Sequence, residues 1–288
     1  MISSRLILSL VVLITLNMHL ESRAADPWAD NVVQYISGTG IGNDFVTGDP
    51  YSDASTSLGE PTRFTSDAAN YGGAVTPLQS AFRANEVVSI GNGGSLTVSF
   101  DEPVTDDPQN PFGIDLLVFG NSFLFGDDIF NPDWSFNPAG TFTGVASEGG
   151  VVELSDDGIN FVLVTGLEGD GLYPINAYDD IVDPFATVAG SVPSDFTKPV
   201  DPALDIVGKT FAEVVTAYNG SGGGAGIDIG AWGLSQVTHV RVSNAIGAGF
   251  IPEIDGFADV SAVPEPSTGL LGALLASLGM MFRRRTSC

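Results

Sequence analysis

Of the side chains that carry most protein chemistry, only oxygen donors are plentiful in this sequence. Residues 25–262 hold one histidine, His239, and the single cysteine is Cys288. A Ser-His-Asp triad would rest wholly on His239, and no Gly-x-Ser-x-Gly elbow accompanies it. The imidazole lies in Val237-Thr238-His239-Val240-Arg241, an alternating run that reads as a strand with His239 and Arg241 on one solvent face. Zinc sites built from Cys and His have no ligands to draw on. P-loop and dinucleotide fingerprints are absent.

Oxygen chemistry is another matter. Across residues 25–262, 33 acidic side chains face five basic ones (Arg63, Arg83, Lys198, Lys209 and Arg241), a net charge of −28. Such a field attracts cations and repels nucleic acid and anionic lipid. Hard cations such as calcium take about six to eight oxygens from carboxylates, carbonyls and amides, which these loops supply. Gly223-Gly224-Ala225-Gly226-Ile227-Asp228 matches the first six positions of a calcium-binding nonapeptide repeat. Gly230, however, stands where that repeat needs a large apolar residue, and the motif occurs once where the fold requires tandem copies. Ser221 to Gly226 therefore reads as a flexible loop entering a strand at Ile227-Asp228-Ile229. Paired carboxylates also hydrolyse glycosides, but among 33 acids no spacing selects a pair. Trp28, Trp134 and Trp232 could stack on sugar rings; an exposed Trp134 in the Asn131-Pro132-Asp133 loop would favour binding.

The elements that must position these groups are short. Gly, Asp, Asn, Ser and Pro clusters divide the chain into apolar or alternating runs, the pattern of strands joined by turns. The clearest strands are Gly94–Phe100, Ile114–Phe119, Gly150–Leu154, Phe161–Thr165, Val237–Ser243 and Phe257–Val260. Gly94–Phe100 alternates apolar and polar residues and so has one buried and one wet face. Leu116-Leu117-Val118-Phe119 is apolar throughout and is expected to be covered on both faces. Asp157-Gly158 reads as a hairpin turn. Only Lys209–Tyr218 has helical spacing, closed by Asn219-Gly220. Asp101–Asn110, Phe125–Gly140 and Tyr173–Pro202 read as long loops. No repeat of solenoid or propeller length is visible, and residues 25–262 suit one large domain.

The two ends carry export signals. Arg5, the apolar run Leu6–Leu16 and Ser22-Arg23-Ala24 have the layout of a signal peptide over residues 1–24, cleaved after Ala24. At the other end, Pro264-Glu265-Pro266 precedes an apolar stretch, Gly269–Phe282, and the cluster Arg283-Arg284-Arg285. This order resembles the PEP-CTERM sorting signal, here residues 263–288. The resemblance implies an exosortase-type sorting protease as partner. It also implies a hydrophobic C-terminal helix that anchors the precursor in the inner membrane, with the arginines in the cytoplasm.

The central region has a resemblance of its own. Val87 to Leu96, Asp115 to Phe123, Ser155-Asp156-Asp157-Gly158 and Asp255 to Asp259 occur in the order seen in bacterial secreted proteins that resemble discoidin-like or galactose-binding-like jelly rolls. Leu58-Gly59-Glu60-Pro61 fits their opening segment. The implied fold is all-β, an antiparallel jelly-roll β-sandwich with long loops. One departure stands out: an acidic residue usually precedes the asparagine of the Val-Phe-x-Asn segment, and here that residue is Gly120. Asp115, Asn121, Asp228, Glu253 and Asp255, in or beside these segments, are the candidate calcium ligands. The resulting expectation is a non-enzymatic cell-surface or matrix protein that binds extracellular polysaccharide or acts structurally. The alternative is a secreted carbohydrate-active enzyme, a glycoside hydrolase or lyase.

Overall fold

The computed structural model describes residues 26–65 and 72–260. The expected signal peptide, the sorting motif and the C-terminal helix fall outside them. No helix among the described residues is long and apolar enough to cross a membrane.

In chain order the strands are β1 (Asn31–Ile36), β2 (Phe64–Thr65), β3 (Gly73–Ala74), β4 (Val88–Ser89), β5 (Ser95–Thr105), β6 (Leu116–Gly120) and β7 (Phe123–Asp127). They continue as β8 (Thr141–Ala146), β9 (Gly149–Ser155), β10 (Val162–Asp170), β11 (Ala225–Ile227), β12 (Gln236–Ser243) and β13 (Glu253–Asp259). Helix α1 (Phe211–Tyr218) lies between β10 and β11. A five-stranded sheet runs β1-β5-β12-β9-β10 and a four-stranded sheet runs β11-β6-β13-β4. All their pairings are antiparallel. β2-β3 and β7-β8 form separate two-stranded sheets.

The two large sheets share one core. Leu96 and Val98 of β5, Val152 and Leu154 of β9 and Val240 and Val242 of β12 meet Leu116 and Val118 of β6 and Ile254 and Phe257 of β13. The apolar run in β6 is buried from end to end, as expected. Its residues alternate: Leu116 and Val118 enter this core, while Leu117 and Phe119 enter a second one with Ile175, Ala177 and Phe196. A strand covered on both faces needs no polar residue, which is why period-two alternation is missing from it. The third cluster joins the buried face of α1 to Leu124 of β7 and Phe142 of β8.

α1 begins where its cap directs. Thr210 Oγ1 accepts the Glu213 N–H, the Glu213 side chain accepts the Thr210 N–H, and Asn219 closes the helix in the left-handed region at φ 52°. Two sequence expectations need correction. Asp101–Asn110 is not wholly loop, because β5 continues to Thr105 and pairs Val104 with Val237 and Thr105 with Gln236. Ser221–Gly226 is not a flexible loop. Ser221 to Ala225 are buried, the Gly222 N–H donates to the Asp195 carbonyl (2.8 Å) and the Gly224 N–H to the Tyr173 carbonyl (2.8 Å). A Cβ on Gly222 would fall 2.0 Å from the Phe196 ring, so glycine serves close packing there.

Candidate functional sites

Three loops at one end of the large sheets bring three carboxylates together. Asp106 follows β5, Asp115 precedes β6 and Asp228 follows β11; one oxygen of each lies within 4.8 Å of the others. Asp115 is buried and fixed on both oxygens. Oδ1 accepts the Asp107 N–H (3.0 Å) and Asn110 Nδ2 (2.9 Å), and Oδ2 accepts the Ile229 N–H (3.1 Å). Asp228 Oδ1 accepts the Ala231 N–H (2.9 Å), which pins it to the turn at Gly230–Trp232. Burial pushes the Asp115 carboxyl up, and the charge of Asp106 adds to the rise. The ion pairs among the described residues are Arg63–Glu60, Arg83–Asp44 and Arg241–Glu153, so no basic side chain neutralises this group. Three hard oxygens on rigid turns, open to solvent at Asp106, are a donor set for a divalent cation. Sequence reasoning chose Asp115 and Asp228 and missed Asp106, which sits in Asp106-Asp107-Pro108 and reads there as a turn former.

A second cluster lies between the sheets. Asn121 Nδ2 donates to Glu253 Oε2 (2.7 Å), and Ser89 Oγ donates to Glu253 Oε1 (2.8 Å). The fully buried Asp170, at the end of β10, accepts the Ser122 N–H on Oδ1 (2.8 Å) and the Glu253 N–H on Oδ2 (3.1 Å). Its carbonyl accepts the Glu148 N–H (3.1 Å). One aspartate thus ties β10, β13 and the turns at Ser122 and Glu148 to each other. Burial drives the Asp170 carboxyl well above the carboxylate range. Glu148 is pushed up to about 7 by burial, by the Glu253 charge and by a side-chain hydrogen bond between the two. Below about pH 7 Glu148 therefore keeps its proton and can share it with the Glu253 side chain. Glu148 also lines a cleft of about 890 Å³ whose walls include Leu163, Leu167, Leu172, Tyr173 and Phe250.

Gly120 finds its explanation here. A Cβ at this position would lie 2.4 Å from Asp170 Oδ1, so no side chain fits while that carboxyl is in place. The space that an acidic residue at position 120 would fill is taken by an acid from β10. Asn121 and Glu253 come together as a pair, and Asp255 stands apart from them. Asp255 accepts the Thr62 N–H (3.1 Å) and Thr62 Oγ1 (3.0 Å), and burial pushes it up to about 8. It holds the Pro61-Thr62 segment onto β13.

Trp134 is 82% exposed. Its loop is tightly made: the Trp134 N–H donates to the Asn131 carbonyl (2.9 Å), and Ser135 Oγ donates to Asp133 Oδ1 (2.6 Å). The indole is held outward from a left-handed backbone at φ 66°. Its ring centroid is 6.4 Å from Phe130, which stacks on Phe185 at 5.6 Å. Trp28, edge-on to Phe196, and Trp232 pack against cores instead. His239 meets Thr238 Oγ1 (2.8 Å), and Arg241 pairs with Glu153 (2.7 Å) and lies over the Phe161 ring.

Residues 262–285 match the PEP-CTERM protein-sorting motif. No curated protein matches the chain. The motif begins two residues after Val260, the last described residue, and it marks the chain as an exported protein, processed by exosortase and sorted to the cell surface.

Proposed function

We propose that residues 25–262 form a non-enzymatic jelly-roll module of the galactose-binding-like kind, displayed outside the cell and binding extracellular polysaccharide at Trp134. The observation that carries this reading is the exposed indole on a hydrogen-bonded turn, backed by Phe130 and Phe185. An aromatic face of this kind, with Asp133 and Asn131 beside it, offers stacking to a sugar ring and hydrogen bonds to its hydroxyls. Calcium at Asp106, Asp115 and Asp228 would join three loops and offset the crowded charge. A glycan array on the exported domain tests the first part. Binding without product release, lost in Trp134→Ala and partly kept in Trp134→Phe, is the expected result; binding that survives Trp134→Ala rejects the platform.

The enzyme reading has one observation in its favour, Glu148, an acid raised to about 7 in the wall of the 890 Å³ cleft. Against it, Glu148 and Glu253 are hydrogen-bonded to each other, whereas glycosidases hold their two carboxyls at least about 5 Å apart to admit sugar or water. Release of product from any bound glycan, abolished by Glu148→Gln, would favour the enzyme.

A further inference from the structure

The last strand delivers the chain to the end of the domain where Asp106, Asp115 and Asp228 meet. The Val260 N–H donates to the Asp115 carbonyl (2.9 Å), and the Asp259 N–H donates to the Pro27 carbonyl (2.7 Å). Both ends of the described domain are thus fastened at this pole. Pro264 follows Val260 by four residues. Four residues at full extension reach about 14 Å. That is little more than the roughly 10–12 Å width of one helix with its side chains. An enzyme that grips Pro264-Glu265-Pro266 has to place its own surface against the folded domain.

We infer that this pole is a contact surface for the exosortase, so that processing reads the folded domain as well as the motif. Phe112 stands at the tip of the turn Pro111–Gly113, 54% exposed and held at φ 62°. Asp106 and Asp228 lie beside it: a Cβ on Gly113 would come 3.5 Å from Asp228 Oδ2. An aromatic residue with an acidic rim fits a partner surface with an apolar centre and basic or cation-bearing edges. The short tether forces the encounter, and the side chains set its chemistry.

The test measures the processing rate of the full-length precursor at two tether lengths. Phe112→Asn with Asp106→Asn keeps a residue that tolerates a left-handed backbone and removes the aromatic ring and one charge. At the native spacing this variant should be processed at least about threefold more slowly. A flexible Gly/Ser insert of about 20 residues after Ala262 gives a mean reach of about 25 Å. The insert alone, which alters no residue of the domain, should lower the wild-type rate to that of the variant and erase the difference between them. An unchanged rate at native spacing, or the same slowing at both spacings, overturns the proposal. The comparison is repeated with precursor and enzyme in detergent. A difference that persists there belongs to the enzyme; one that appears only in intact membranes assigns the pole to lipid and rejects the contact.

Discussion

Asp106, Asp115 and Asp228 meet at the edge of the solvent, while Glu148, Asp170 and Glu253 meet where the two sheets and their turns close on each other. Among the described residues both groups crowd acids with no ion-paired basic side chain, and each relieves the crowding differently. At the pole, backbone N–H groups hold the buried Asp115 beside Asp106 and Asp228, and solvent access at Asp106 leaves the group open to a cation. Inside, burial raises Asp170 and Glu148 above the ordinary carboxyl range, and the acids act as hydrogen-bonding crosslinks. The same residue types therefore make a place for an ion in one region and a staple in the other.

The hardest break of that comparison is at Asp170. Asp170→Ala leaves the Ser122 and Glu253 N–H groups buried without an acceptor, and chemical denaturation should show a loss of about 3 kcal/mol, whereas Asp106→Ala should change stability by less than about 0.5 kcal/mol. Comparable losses at both sites would erase the distinction between staple and ion site.

Calcium sharpens it from the other side. A cation bound by the folded domain alone adds about 2.7 kcal/mol at about 100 times its Kd. The melting temperature should rise more with calcium than with equal magnesium, and Asp106→Asn or Asp228→Asn should shrink the gap while Glu148→Gln leaves it unchanged. Equal shifts from both ions would reduce the pole to a solvated acidic surface.

Protons act on the buried group in the opposite sense to ordinary carboxylates. Glu148 is raised to about 7 and Asp255 to about 8, so the folded chain binds more protons than the unfolded chain. Their contribution is complete below the normal carboxyl range and is lost as pH rises through 7 and 8. Without calcium, stability should fall by on the order of 2 kcal/mol between about pH 6 and 9, after discounting Glu148 for its partial exposure. Glu148→Gln should flatten the first part of that slope. A stability that climbs over this range would mean that Glu148 and Asp255 are ionised throughout it.

The smallest stability effect is expected at Trp134. Trp134→Ala should leave the denaturation midpoint unchanged within about 0.5 kcal/mol, because the indole is largely outside the core. A larger loss would show that the loop is structural.

How far the sequence announces all this depends on the range of each interaction. Alternation exposes Leu96, Val98 and Phe100 of β5, and helical spacing exposes Phe211, Val214, Val215 and Tyr218, because each pattern is local. Asp115, Asp228, Asn121 and Glu253 stand out one by one, in or beside the jelly-roll-like segments, but nothing in the sequence pairs them. Glu148 and Asp170 were not: they reach Glu253 only through the placing of β10 beside the turns at Ser122 and Glu148, which no local spacing encodes. β7 and β8 stayed hidden because Phe123 and Phe125 face outward, so that apolar residues mark the exposed face. The buried glycines Gly222 to Gly224 resemble a linker until the Phe196 and Phe119 rings above them are known.

The position of β13 also decides how the domain would resist a pull on its C-terminal end. It pairs with β6 on one side and β4 on the other, and the chain leaves it directly toward the sorting segment. A pull applied through the C-terminal end of the domain would therefore load β13 along its own axis. The bonds it makes with β6 run across that axis, so they are strained together instead of opening one at a time. In mechanical terms such a pull would meet a sheared joint, formed by an interior strand of the four-stranded sheet.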